Sequence, residues 1–242
     1  MIGVIYDGHD LSEICICGDP KLAFHDMRSV EREADGIDGA KVVGTRLAPG
    51  TVEFTCTVLG RDPMQRRMSL SRLMAWLRVD GPRELVLPDM PSWSYMAVPS
   101  GKIDLSRHMD AEQFQLAFDV VDPVAYGDEH SATVPSGGSV TFYVGGTAPT
   151  RPTVAAQSAV RNSTSHAWGV RLDSADYMHV DTGSSSAHAV SLDCDARAAL
   201  LDGVPTVMTL TSDWLELSPG MHVLEMDEGT GAATVTWRER WY

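Results

Sequence analysis

The 242-residue sequence lacks the features that mark several large classes of protein. No apolar run reaches the roughly 18–20 residues that a membrane-spanning helix needs, so we expect no membrane insertion. The first residues contain no basic segment followed by an apolar core and a small-residue cleavage site, so we expect synthesis and folding in the cytoplasm. Basic side chains are also scarce. The chain has 19 basic and 33 acidic side chains, and the resulting net charge of −14 disfavours specific binding to nucleic acid phosphates.

Cysteine is rare as well, with four residues and no spacing typical of a disulfide framework. Cys15 and Cys17 are two residues apart, which places both thiols on one face of a strand. A tetrahedral zinc site would need a second close pair, which the sequence does not offer. We therefore expect both to be buried as small apolar residues, and we predict no metal and no cofactor.

Motifs for catalysis are nearly absent. The sequence has no phosphate-binding loop, nucleophile elbow or zinc-protease helix. Residues 180–186 read VDTGSSS and contain the Asp-Thr-Gly-Ser sequence of pepsin-like and retroviral aspartic proteases. Such enzymes need two opposed aspartates, so a chain with one copy would have to act as a dimer through Asp181. The alternative is a polar turn, because these residue types all favour turns. We favour the turn and predict no catalytic residue and no enzymatic activity.

What the sequence does contain is alternation of apolar and polar residues, the pattern of strands with one buried face. Val52, Phe54 and Cys56, for example, share one face of a predicted strand. Turns containing Gly, Pro or Asp separate the alternating segments. The clearest segments are residues 51–59, 113–121, 139–144 and 233–241. The pattern predicts a mostly β chain.

One segment has a helical period instead. Its apolar residues are Leu70, Leu73, Met74 and Leu77, which are spaced as on one face of a helix. Asp62 is suited to cap the first turn and Pro63 to open it, while Gly81 is suited to follow the last turn. We predict one helix at about residues 62–80.

Residues 18–50 form a long, charged stretch with several glycines between two predicted strands. A gap of this length inside a compact domain indicates a functional or projecting loop. We predict an extended hairpin arm, which would need a partner surface because an isolated hairpin is only marginally stable. The apolar residues predicted to form an oligomer interface are Leu22, Phe24, Ile37, Val42, Val43 and Leu47.

The second half is punctuated by turns and predicts a β-sandwich. A strand ends near residue 121 and a proline follows, so we predict an N-terminal domain at 1–127 and a C-terminal domain at 128–242. Aromatic residues on such a sandwich can stack on sugars. Trp168 and Tyr177 are the candidates for glycan contact, whereas Trp237 shares the apolar face of its strand and is expected in the core.

Short motifs follow one another in a fixed order along the whole chain. They are IYDG at 5–8, DGIDG at 35–39, the strand at 52–58, the helix after Asp62, the strand at 114–120, DPVAYG at 122–127, LDCDAR at 192–197, LDG at 201–203, LELSPG at 215–220 and RERW at 238–241. In order and spacing they resemble the distal tail protein (Dit) family of long-tailed bacteriophages, or siphoviruses. Val124 departs from the family, which usually has an aromatic residue there.

The resemblance implies an N-terminal β-barrel-like domain with one helix and an extended arm, followed by a galectin-like β-sandwich. It implies a structural protein of the virion tail tip, or baseplate, that assembles into a ring, typically a hexamer. The ring would join the tail tube protein to the tail-tip protein, face receptor-binding proteins and leave a channel for DNA. An acidic N-terminal half suits a channel that passes DNA without binding it. The alternatives are a glycan-binding module for host adsorption and the dimeric aspartic protease.

Overall fold

The computed structural model of the chain describes residues 3–23, 27–33, 40–108 and 111–242. Over these residues the backbone is mostly β with one α-helix, as the alternating pattern predicts. The chain divides into two compact units, Met1–Ala125 and Tyr126–Tyr242. No helix in the described ranges combines the length and the apolar character that crossing a bilayer requires.

The strands of the first unit form one antiparallel sheet and one separate hairpin. They are β1 (Ile5–Tyr6), β2 (His9–Asp10), β3 (Cys15–Cys17), β4 (Lys21–Ala23), β5 (Met27–Glu33), β6 (Ala40–Leu47), β7 (Gly50–Val58), β8 (Arg83–Leu87), β9 (Met90–Ser100), β10 (Ser106–His108) and β11 (Ala111–Val120). The sheet runs in the order β2, β1, β8, β9, β11, β7. Both β3 and β4 pair with the other edge of β7, and β10 pairs with β11. The hairpin consists of β5 and β6.

The core of the first unit lies on the apolar face of this sheet. Val52 and Phe54 of β7 are buried, and they pair with Phe118 and Leu116 of β11. The ring of Tyr6 lies 4.9 Å from that of Phe118. Its hydroxyl donates a hydrogen bond to the backbone of the same unit, so the ring is buried without leaving its polar end unpaired. The sequence pattern identified this core face correctly.

The helix, α1 (Pro63–Leu77), begins where the sequence predicts. The side chain of Asp62 accepts a hydrogen bond from the backbone amide of Gln65 at 2.8 Å, which satisfies one of the unpaired amides of the first turn. The helix ends earlier than the predicted residue 80. Arg78 already has an extended backbone conformation, so Gly81 does not cap the helix.

Only part of the predicted apolar stripe of α1 reaches the core. Leu73 and Leu77 are buried, whereas Met74 is exposed. Arg66 is also buried, and its Nε lies 3.4 Å from the carboxylate of Glu112. This ion pair ties the first half of the helix to the residues at the start of β11.

The second unit contains two antiparallel sheets. Its strands are β12 (Ala125–Val134), β13 (Ser139–Val144), β14 (Thr153–Ala159), β15 (Ala167–Leu172), β16 (Asp176–Asp181), β17 (His188–Asp193), β18 (Ala198–Leu201), β19 (Val204–Thr206), β20 (Gly220–Glu228) and β21 (Ala233–Trp241). One sheet has the order β19, β18, β17, β14, β21, β12. The other has the order β13, β20, β15, β16.

The two sheets share a single hydrophobic core, which makes this unit a β-sandwich. Trp168 and Val170 reach the core from β15, and Leu192 reaches it from β17. Trp237 of β21 is buried in the same core, as the alternation of its strand predicts. Asp202 and Gly203 both have positive φ angles in the turn between β18 and β19, which is the conformation a two-residue hairpin turn needs.

Candidate assembly interface

The β5–β6 hairpin, here called the arm, lies outside the sheet of its unit. Within the described ranges its two strands pair with each other and with no other strand. Apolar side chains on the arm are exposed. Met27 is 80% exposed and Val43 is 64% exposed. A two-stranded ribbon that buries so little apolar surface gains little stability by itself, so the arm is suited to pack against another surface.

The residues predicted for the oligomer interface fall into three groups. Val42 and Val43 lie on the arm and are exposed, and Leu47 pairs with Met27 at its base. Leu22 lies in β4 and pairs with Val52, so it belongs to the edge of the main sheet and not to the hairpin. Phe24 and Ile37 lie outside the described residues. Because Leu22 belongs to the main sheet, the arm is shorter than the predicted stretch of residues 18–50.

A second apolar surface in this unit is a groove between α1 and the chain that follows β9. Its volume is about 930 Å³. Met74 of the helix and Leu105 of the following chain line it, and both are exposed. The apolar residue that the helical stripe predicted for the core thus lines an open groove instead.

The two candidates for glycan contact occupy different environments. Trp168 is completely buried in the sandwich core, so its indole presents no face to a sugar, and the prediction for this residue is wrong. Tyr177 is half-buried on β16. The guanidinium of Arg171 lies 5.6 Å from the centre of its ring, and the ring of His179 meets it edge-on at 5.6 Å. Glycan contact at Tyr177 stays a prediction.

Asp181, the candidate of the protease alternative, lies at the end of β16. Its side chain accepts a hydrogen bond from the backbone amide of Gly183 at 2.7 Å. The hydroxyl of Thr182 donates to the carbonyl of Ser184 at 3.0 Å. These two bonds form a compact polar turn, which agrees with the turn interpretation of the VDTGSSS sequence.

The same turn contains a chain of hydrogen bonds that sequence analysis missed. Ser184 Oγ lies 2.7 Å from Nε2 of His188, and Nδ1 of His188 lies 2.6 Å from the carboxylate of Asp202. The pairing of β17 with β18 brings Asp202 to this position, 14 residues from His188. The hydrogen bond from His188 is the main reason that the pKa of Asp202 is lowered.

A serine, a histidine and an aspartate in this order also occur in hydrolases, where the histidine activates the serine hydroxyl. Here the hydroxyl of Ser184 takes part in further bonds within its own turn. It lies 2.5 Å from the hydroxyl of Ser186 and accepts a hydrogen bond from the Ser186 amide at 3.3 Å. Because these bonds tie Ser184 to its neighbours, we interpret the network as one that holds two adjacent turns of the sandwich together.

Three of the four cysteines meet between β3 and β7. Cys17 pairs directly with Cys56 across the two strands. The Sγ atoms of Cys17 and Cys56 are 3.1 Å apart, and those of Cys15 and Cys17 are 3.7 Å apart. Cys15 and Cys56 are buried and Cys17 is half-buried, while Cys194 is buried in the second unit. The sequence predicted burial of Cys15 and Cys17, which is correct for Cys15 and only partly so for Cys17. It also placed Cys56 on the apolar face of its strand, but it did not predict that strand pairing brings Cys56 to the other two thiols.

Hydrogen bonds between the three thiols change their acidity. Those from Cys17 and Cys56 lower the pKa of Cys15 to about 4, although burial acts to raise it. The hydrogen bond with Cys15 raises the pKa of Cys17 to about 12. Hydrogen bonds with Cys15 and Cys17 raise the pKa of Cys56. The cluster therefore accommodates one negative charge more readily than two.

Two family models match the chain, and they cover different parts of it. Residues 17–120 match a phage tail protein RIFT-related domain. Residues 145–241 match the C-terminal domain of a siphovirus-type tail component. A phage tail protein is thus the class that the fold and the two matches define. More specifically, the two matches together support membership of the siphovirus distal tail protein (Dit) family, which the order of the sequence motifs predicts.

Solved structures of phage tail proteins share this fold. The Dit protein of phage SPP1, described as a paradigm of the hub adsorption apparatus in phages that infect Gram-positive bacteria, matches with a TM-score of 0.80 at 19% identity, over 99% of both chains. Two structures of the activated phage P2 baseplate match more distantly. The baseplate structure with Ca matches with a TM-score of 0.53 at 9% sequence identity, and the match covers 96% of this chain and 92% of the baseplate chain. The baseplate structure with Sr matches with a TM-score of 0.54 at 9% sequence identity, and the match covers 96% of this chain and 93% of the baseplate chain. Comparison with curated protein sequences gives no match.

Proposed function

We propose that this tail protein is the distal hub of a siphovirus tail, in which identical subunits, six by family resemblance, form a ring. The ring joins the tail tube protein to the tail-tip protein, faces receptor-binding proteins and leaves a channel through which DNA passes. Subunits are made in the cytoplasm of the bacterial host and function without enzymatic activity. Membership of the Dit family supports the location, and the arm supports the assembly.

The exposed arm is the observation that carries the proposal. Among the described residues the outer edges of its two strands pair with no other strand, and its apolar side chains, such as Val42 and Val43, face solvent in the single chain. A neighbouring copy of the chain would cover both, since strand edges and apolar patches are common binding surfaces. Contacts between an arm on one subunit and a different surface on the next are head-to-tail contacts, which close into a ring when the rotation allows.

The groove beside α1 is the surface best suited to receive the arm of the next subunit. It is open and apolar, with Met74 and Leu105 exposed along it. A specific interface of ordinary size buries roughly 800 Å² on each partner, an area that a two-stranded arm lying in a groove can supply. The acidic net charge of the chain in turn suits a ring through which DNA passes without being held.

The proposal is tested by removing the apolar contacts of the arm. We expect the double substitution Val42→Asp with Val43→Asp to leave the chain monomeric at concentrations where the unchanged protein forms rings, because charged side chains cannot be buried in the groove without a large desolvation cost. Sedimentation velocity gives the mass of the particles, and negative-stain electron microscopy shows whether they have a central hole.

The matched control is Val207→Asp, which places the same charge at an exposed valine of the second unit. This variant should still form rings. Rings that persist in the arm variant would contradict the role of the arm. Failure of the unchanged protein to assemble at high concentration would contradict self-assembly of the isolated chain.

A further inference from the structure

The cluster of three cysteines between β3 and β7 is not explained by the role in the tail. We propose that Cys15, Cys17 and Cys56 bind one Zn²⁺ ion, with the fourth coordination position open to a water molecule. The proposal does not depend on ring formation, since all three ligands belong to one chain and one unit.

The geometry of the thiols supports a single shared ion. Their Sγ atoms all lie within 4.8 Å of one another. A zinc ion bonds to thiolate sulfur at about 2.3 Å, so tetrahedral ligands are about 3.8 Å apart. The observed separations of 3.1 Å for Cys17 and Cys56 and 3.7 Å for Cys15 and Cys17 need only small side-chain rotations to reach this value. The antiparallel pairing of β3 with β7 already holds the three backbones in place.

Burial of cysteine as a small apolar residue is the competing explanation. It accounts for any one thiol, and Cys194 in the second unit is an example, because its sulfur is buried beside that of Met178 at 3.8 Å. It does not account for the meeting of the other three thiols of the chain on one sheet face. Cys17 is only half-buried, which gives an ion access and leaves room for the fourth ligand.

The choice of Zn²⁺ follows from ligand type and charge. Thiolates are soft ligands that favour Zn²⁺ or Cu⁺ over Mg²⁺ and Ca²⁺. Three thiolates with Zn²⁺ leave one net negative charge, whereas with Cu⁺ they leave two. Because a net charge is costly to bury, the smaller charge of the zinc complex favours Zn²⁺ at this partly buried site. All three ligands bind as thiolates, so binding releases whatever protons the thiols still carry.

Such an ion would fasten the sheet edge from which the arm begins. Strand β3 has only three residues, and β4 and then the arm follow it along the chain. A metal that joins Cys15 and Cys17 to Cys56 would hold this short edge strand against β7. We therefore expect Zn²⁺ to raise the unfolding temperature of the protein, since a ligand that binds only the folded state stabilises it.

The test is a Zn²⁺ titration of the full chain, freed of metal with a chelator and kept reduced, in competition with a chromophoric chelator. We expect one ion per chain, and a loss of affinity of roughly 100-fold or more in Cys17→Ser, which removes a ligand at a half-buried position. Cys194→Ala is the matched control and should keep full affinity. Zn²⁺ should also protect Cys17 from alkylation by iodoacetamide in the unchanged protein, as measured by mass spectrometry.

Three results would overturn the proposal. They are the absence of saturable Zn²⁺ binding, undiminished affinity in Cys17→Ser, and tight binding of Cu⁺ without binding of Zn²⁺. A disulfide between Cys17 and Cys56 that persists in reducing agent would also overturn it, because the sulfur atoms would then not be available as thiolates. The alkylation measurement uses the unchanged chain, so it decides the matter even if the serine variant does not fold.

Discussion

Strands β6 and β7 are separated by two residues, yet they have opposite environments. In β6 the side chain of Val43 is 64% exposed, while in β7 that of Phe54 is completely buried. Both segments are rich in β-branched residues and both form strands, so local preference does not distinguish them. What differs is the alternation, which is regular in β7 and interrupted in β6 by adjacent Val42 and Val43.

This contrast shows that the two strands are stabilised by different partners. A regular period of two allows β7 to place one whole face on the core of its own unit. Over the residues that the structure describes, the arm packs no such face on the core of its unit, and it presents apolar residues such as Val43 to solvent. The packed strand therefore contributes to the stability of the subunit, whereas the arm is available for the contacts between subunits that we propose.

The largest effect on subunit stability is expected at the packed strand. Phe54→Ala removes a buried ring that meets Phe118 edge-on at 6.2 Å. We expect the free energy of unfolding to fall by about 3–5 kcal/mol, because the truncation loses apolar burial and leaves a cavity. Urea unfolding followed by circular dichroism measures the change.

The matched substitution on the arm is Val43→Ala. At concentrations where the chain is monomeric, it should change the free energy of unfolding by no more than about 0.5 kcal/mol, as is usual for exposed positions. A loss at Val43 comparable to that at Phe54 would show that the arm packs within its own subunit, and the contrast between the two strands would fail.

An intermediate effect is expected at the first turn of α1, where a polar contact at the surface supports a packed element. Asp62→Ala removes the side chain that accepts a hydrogen bond from the Gln65 amide. We expect a loss of about 1 kcal/mol in the free energy of unfolding, the usual cost of deleting a helix cap. Arg67→Ala at an exposed position of the same helix is the control, and an equal loss there would argue against the cap.

Among the substitutions that remove a native contact, the smallest effect is expected in the sandwich, and it depends on pH. Asp173 is partly buried, which acts to raise its pKa, but hydrogen bonds from the Val223 amide and His222 lower the pKa below its usual value. A carboxyl group whose pKa is lower in the folded state stabilises the protein above its unfolded pKa of about 4, and this gain is lost as the pH falls through the folded value. We expect Asp173→Asn to cost about 0.5–1 kcal/mol at pH 7, because the group is half-exposed.

Thermal unfolding from pH 7 down to pH 3 distinguishes this effect from a general weakening of the sandwich. The difference between the variant and the unchanged protein should shrink as the pH falls, since Asp173 then becomes protonated in both states. Asp176→Asn, at an exposed position nearby, should show no such trend. A constant difference at every pH would indicate that the carboxylate charge is not the source.

Sequence reasoning succeeded where one short segment contains the whole signal. The alternation in β7 predicts its buried face, and Asp62 with Pro63 predicts the start of α1. It was less successful where the burial of a residue depends on elements that are distant in the sequence. Met74 fits the helical stripe but is exposed on the groove, whereas Leu73 and Leu77 of the same stripe are buried in the core.

The candidate sites likewise include some that the sequence predicts and some that it does not. The apolar arm follows from the length and composition of residues 18–50, and Val42 and Val43 lie on it as predicted. Trp168 could not be assigned from composition, since an aromatic residue on a sandwich strand can point to the core or to solvent according to the register.

The sequence alone determined the mostly β architecture, the single helix and the presence of an arm, because hydrophobic period, capping residues and glycine-marked turns are local properties. Only the tertiary structure decided that Cys56 joins Cys15 and Cys17 and that Asp202 meets His188. Those contacts depend on which strands pair and in which register, and a shift of one residue would turn each of these side chains to the opposite face of its sheet.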